Sequence, residues 1–207
     1  MVAQSLGISL EDVAKLPKGE AYFAQGPVPD DASFISAPRK EPELVTVHRY
    51  PLMAQVPRRV PGGGVQRTVT VDEFPISTTM AGSVLEIQPG ALRELHWHPN
   101  ADEWQYFIEG TAEMAVFLAE GHAVIEQYEA GDIGYAPMGS GHYIKNTGPG
   151  VLRVLIGFNS PKYESNELST WLATNPPAVL STNLGLPAET VAKLPKEEHF
   201  FVPKRTG

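Results

Sequence analysis

The chain has 207 residues, 42% of them hydrophobic and 19% charged, with a net charge of -8 and no cysteine. That is the composition of an ordinary soluble globular protein, and it excludes disulfides, thiolate metal sites and cysteine nucleophiles. The acidic balance argues against a nucleic-acid partner, the lack of an apolar run near about eighteen residues argues against a membrane helix, and residues 1–10 lack the basic and apolar regions of a signal peptide, which points to the cytoplasm.

Residues 1–42 read as an N-terminal arm with a short helix, rich in proline and glycine over 18–42. A barrel is expected over 43–160, followed by a lid segment and helical tail over 161–207. Residues 45–50 and 66–71 read as outer strands, and 57–65 as a second proline- and glycine-rich arm. Short β-rich stretches then follow at 83–87, 94–98, 104–109, 112–118, 123–128, 133–136, 142–145 and 152–158. Turn signals such as Pro89-Gly90, Glu109-Gly110 and Ala130-Gly131-Asp132 separate them, and the even spacing predicts a sandwich or barrel. Residues 167–173 read as a helix with Leu168, Trp171 and Leu172 on one face, stopped by Asn175-Pro176-Pro177. Two more short helices are expected at 179–184 and 188–193.

The two ends repeat each other. Leu6-Gly7, Glu11 and Val13-Ala14-Lys15-Leu16-Pro17-Lys18 return as Leu184-Gly185, Glu189 and Val191-Ala192-Lys193-Leu194-Pro195-Lys196. Two readings stand: the chain is one unit of a tandem pair, or the ends are similar helical arms that pack on neighbouring subunits.

Four side chains carry chemistry. His96 and His98 lie two apart on an expected strand, so period-two geometry puts both imidazoles on one face. Glu103 follows a short turn at the start of the next strand, and His142 opens a later strand after a glycine-rich turn. A barrel brings these strands around one interior, and three imidazoles with one carboxylate suit Mn, Fe, Co, Ni, Cu or Zn. His48, His122 and His199 lack such partners and read as surface or structural residues. Trp97 alternates away from the ligands, Trp104 and Tyr106 read as core, and Trp171 reads as the anchor of the tail helix.

These residues carry a resemblance to the cupin family. Its first motif, Gly, five residues, H-x-H, three or four residues, Glu, six residues, Gly, is matched by Gly90, His96, His98, Glu103 and Gly110. Its second is matched by Gly131, Pro137, Gly139, His142 and Asn146. The stretch Arg93-Glu94-Leu95-His96-Trp97-His98-Pro99-Asn100 and the segment from Asp102 to Tyr106 further resemble oxalate decarboxylases, in particular the second of their two barrels. The resemblance implies an all-β fold, a jelly-roll type cupin barrel with short C-terminal helices and an extended N-terminal arm. It implies conversion of oxalate to formate and carbon dioxide on manganese, with dioxygen as co-catalyst. It places Arg93 beside the metal as the group that binds the substrate carboxylate, although Arg93 is odd-spaced from His96 and needs a bulge to turn inward. It also implies a lid carboxylate that handles the proton, for which Glu164 is the first choice; Glu167 reads instead as a first-turn helix residue with Asn166 or Ser165 as cap. Loss of the lid carboxylate in this family favours oxidation to carbon dioxide and peroxide. Another metal-dependent oxygenase or isomerase, and a non-catalytic metal-binding barrel, remain as alternatives. The expected partners are a small dicarboxylate and further copies of the chain, as a trimer or hexamer.

Overall fold

The structure, a computed structural model, describes Gly7, residues 9–15, Gly19 and residues 47–204. The chain divides into two units, Met1–Val45 and Thr46–Gly207. In the first, helix α1 (Leu10–Lys15) is capped by Ser9, whose Oγ accepts the Asp12 main-chain N–H at 3.0 Å. Apart from Gly19, the arm expected over 18–42 lies outside the described residues.

The second unit is built from twelve short strands: β1 (Arg58–Val60), β2 (Gly64–Val69), β3 (Ala81–Ile87), β4 (Leu92–Trp97), β5 (Glu103–Glu109), β6 (Ala112–Phe117), β7 (Ala123–Tyr128), β8 (Ile133–Ala136), β9 (His142–Asn146), β10 (Leu152–Phe158), β11 (Asn166–Glu167) and β12 (Phe201–Val202). Helices α2 (Leu168–Thr174), α3 (Pro177–Leu184) and α4 (Ala188–Val191) lie in the tail. One sheet runs β1-β2-β3-β10-β5-β8 and the other β11-β4-β9-β6-β7, with β12 also on β4. The ladders are antiparallel, as expected where short turns join successive strands.

Alternation decides which side chains face in. Along β10, Leu152, Val154, Ile156 and Phe158 are buried, and they meet Leu85, Ile87, Phe107 and Ile144 in one core. Each such side chain contributes about 1.5–3 kcal/mol by leaving water. Along β5 the inward set is Glu103, Gln105 and Phe107, which leaves Trp104 and Tyr106 facing outward, 45% and 38% exposed. The expectation that these two aromatics are core is therefore corrected, because Glu103 fixes the parity of the strand.

Two further expectations change. Residues 47–50 form no strand, and residues 45 and 46 lie outside the described residues. The supposed arm over 57–65 contains β1 and the start of β2, a hairpin in which Arg58 stands opposite Gln66. The tail also closes the edge of the second sheet: Glu167 of β11 pairs with His96, and Phe201 of β12 pairs with Arg93. Gly7 and Gly185, matched in the end repeat, share left-handed φ values of 65° and 64°. The helix after Gly185 buries Val191, whereas α1 buries no residue.

Candidate metal centre

β4 and β9 run side by side with His96 opposite His142, which brings the first and last of the four candidate ligands together. His98 leaves the end of β4 and Glu103 begins β5. All four side chains are buried, and one ligand atom from each lies within 4.8 Å of the others. The imidazole ring centroids are 4.2 to 5.5 Å apart.

The outer hydrogen bonds fix which nitrogen faces inward. His96 Nδ1 donates to the Glu94 carbonyl at 2.6 Å, His98 Nδ1 to the Glu164 carbonyl at 2.6 Å, and His142 Nδ1 to the Ser140 carbonyl at 2.9 Å. A carbonyl only accepts, so each Nδ1 carries the proton and each Nε2 turns a lone pair inward. His98 Nε2 then stands 2.7 Å from Glu103 Oε2 without hydrogen-bond geometry, and has no other partner. Two buried acceptors at that distance are satisfied by a shared cation, and this residue set fits a divalent one. Burial holds the His96 pKa well below the usual imidazole range, reinforced by the charge of Arg93, so the ring stays neutral and able to ligate. Burial pushes the Glu103 carboxyl up, but the facing His142 and His98 side chains outweigh it and hold the group well below its usual range, so it is the anion of the cluster. Gln105 Nε2 donates to Glu103 Oε1 at 2.6 Å, which orients the carboxylate.

Arg93 sits on the same strand. The β4–β9 ladder shifts register between Arg93 and His96, which breaks strict alternation along the strand. The guanidinium is buried and lies 3.7 Å over the Phe200 ring. One terminal nitrogen donates to Glu167 Oε1 at 2.8 Å and to the Tyr163 hydroxyl at 3.2 Å; the other donates to the Phe200 carbonyl at 3.2 Å. The Tyr163 ring lies 5.4 Å from the His98 ring, so the network reaches the ligand cluster.

Residues 52–192 match the cupin family model. The chain belongs to the cupin family. This cupin is 36% identical over 205 residues to the oxalate decarboxylase OxdC of Bacillus subtilis (strain 168), a match covering 99% of this chain and 53% of the relative. It is 37% identical over 142 residues to a probable oxalate decarboxylase of Arthroderma benhamiae, covering 68% of this chain and 35% of that one. A solved structure of Bacillus subtilis oxalate decarboxylase, described for its Mn(II) centres, superposes with a TM-score of 0.88 at 35% identity, covering 99% of this chain and 54% of the other. The chain thus spans about half the length of its bacterial relative.

In this cupin the four motif ligands converge, while the lid residues are arranged otherwise than their sequence suggests. The Glu164 side chain is exposed, and its contribution to the cluster is the carbonyl that holds His98. Glu167 is the N-cap of α2, yet its buried carboxylate turns to Arg93 and accepts from Ser165 Oγ at 2.6 Å, so it is not a first-turn helix residue facing the dipole. No side chain of residue 165 or 166 caps α2. Glu94 of β4 does that from across the sheet edge, accepting the Ser169 N–H at 2.7 Å and its Oγ–H at 2.9 Å. His48, His122 and His199 are exposed. Sequence pattern alone singles out neither Gln105 nor Tyr163 and assigns Glu167 to the helix start, although these three contact Glu103 or Arg93. Gln105 lies two residues after Glu103 on one strand face, a signal that period-two reading contains.

Proposed function

We propose that this cupin barrel converts oxalate to formate and carbon dioxide, with manganese held by His96, His98, Glu103 and His142. The observation that carries the reading is the buried set of three tautomer-fixed imidazoles and one carboxylate, with Arg93 buried on the same strand as His96. Likeness to oxalate decarboxylases over 99% of the chain supports the substrate class.

A bound manganese ion would supply Lewis-acid and template chemistry, with dioxygen as co-catalyst. The chain supplies the rest. Arg93 pairs with one substrate carboxylate through its planar fork. The buried walls exclude water. The carbon–carbon bond of monoprotonated oxalate breaks, carbon dioxide leaves, and the substrate's own carboxyl proton passes from oxygen to the remaining carbon to give formate. Glu164 is the proposed proton carrier, and since its side chain is exposed, delivery requires the segment over 159–169 to turn inward. That exposure also favours a second reading: without an inward carboxylic acid, dioxygen is consumed as the oxidant, taking two electrons from oxalate and two protons, and the products become two carbon dioxide and one hydrogen peroxide. Further copies of the chain are the proposed partners, supported by the outward Trp104, Tyr106, Ile133 and Tyr135 of β5 and β8.

Product analysis on manganese-loaded protein, given oxalate at mildly acid pH with dioxygen, tests the assignment. Formate as the main product, lost in Glu164→Ala, is the expected result. Peroxide without formate selects the oxidase chemistry, and no turnover with metal retained contradicts both.

A further inference from the structure

Arg93 is a cation at 2% exposure, and a cation that deep in the fold needs a counter-anion. The structure already provides one in Glu167, 5% exposed and 2.8 Å away. The nitrogen that meets Glu167 is also the one that meets Tyr163, and the other terminal nitrogen meets the Phe200 carbonyl, so both terminal nitrogens are engaged by the chain itself. From this we infer that Glu167 is a resident competitor: an internal carboxylate that occupies the anion fork of Arg93 and that an incoming oxalate carboxylate displaces. The inference rests on the oxalate reading and deepens it, by naming a positioning residue that sets how readily the site accepts an anion.

The exchange is chemically even. A carboxylate leaves the guanidinium and a carboxylate arrives, so Arg93 is never left buried and unpaired. Apart from Arg93, the Glu167 carboxylate is held by the Ser165 hydroxyl and its own main-chain N–H, both within the same short stretch, and it makes no side-chain cap bond to α2. Displacement also has a mechanical consequence. The five residues from Tyr163 to Glu167 touch Arg93 twice and, through the Glu164 carbonyl, hold His98 Nδ1. Releasing Glu167 loosens the stretch that carries Glu164, so arrival of the anion is coupled to movement of the proposed proton carrier. Trp171, on the helix that begins after Glu167, packs edge-on against Trp97 at 6.4 Å and reports such a movement.

The experiment is calorimetric titration of the manganese-loaded chain with oxalate, run on wild type, Glu167→Gln and Ser165→Ala, with tryptophan emission followed in parallel. Glu167→Gln keeps the shape and removes the charge, and it is expected to bind oxalate about tenfold more tightly. Ser165→Ala leaves the charge but loosens its anchor, and falls between the two. Oxalate changes the emission of wild type and changes that of Glu167→Gln less. Equal oxalate affinity in all three proteins, with Glu167→Gln merely melting at lower temperature, overturns the inference and leaves the oxalate reading standing. No oxalate binding by any of the three overturns the oxalate reading itself, and this inference with it.

Discussion

Gln105 donates to one oxygen of Glu103 while the other oxygen faces His98 and His142, so an amide that touches no substrate fixes the direction of a ligand. Such outer contacts commonly carry about 10–100-fold in metal affinity. Gln105→Leu is therefore predicted to lower manganese affinity by about that factor while the fold persists, measured by competition with a chelator of known affinity. Glu167 gives a pH prediction. Burial raises its pKa, but the Ser165 hydrogen bond and the charge of Arg93 bring it below the ordinary value of 4.5. A carboxyl depressed in the folded state stabilises the protein above its unfolded pKa and loses that contribution as pH falls through the folded value. The gap in melting temperature between wild type and Glu167→Gln is predicted to be full near neutral pH and to close on acidification below the ordinary carboxylate range. The convergence of the four candidate ligands could be read from spacing because strand parity and turn length place them. The Glu167 carboxylate could not, since residues 165–169 read equally well as a helix start, and only the edge of β4 turns it inward.

β4 organises the site as an element. It carries Arg93, Glu94 and His96, is bulged between the first and last of these, pairs with β9 on one edge, and receives β11 and β12 on the other. The long strands showed themselves through alternation, whereas β1, β11 and β12 are two or three residues long and exist because a neighbouring edge pairs with them. No local pattern encodes that. The motif asparagine, by contrast, has a structural task. Buried Asn146 donates to the carbonyls of Ile87 and Gly150 at 2.8 and 2.7 Å and accepts from the Gly148 N–H, tying β3, β9 and the turn before β10 together. Asn146→Ala is predicted to cost about 2–4 kcal/mol by stranding those groups, read from denaturant midpoints with metal present. Gly110 belongs to the same end of the barrel: its φ of 91° and the 3.0 Å approach of a Cβ to Leu152 Cα explain why the motif has glycine there.

Two sheets enclose the ligand cluster, while the outer face of β5, β8 and β10 carries exposed apolar side chains. Trp104, Tyr106, Ile108, Ile133, Tyr135 and Leu155 are all partly exposed on β5, β8 and β10. A contiguous apolar face of this kind predicts self-association, checked by light scattering at micromolar concentration; a monomer would contradict it. Binding of an ion by the folded state alone also predicts that chelation lowers the melting temperature. The proposed chemistry depends on the metal centre, so the measurement that bears on it most directly is manganese titration of the metal-free chain beside Glu103→Ala and His142→Ala. The prediction is one saturable ion per chain in wild type, with the affinity of both variants reduced by orders of magnitude. Absence of saturable binding, or equal binding in wild type and variants, would contradict the assignment of these four side chains as the ligands.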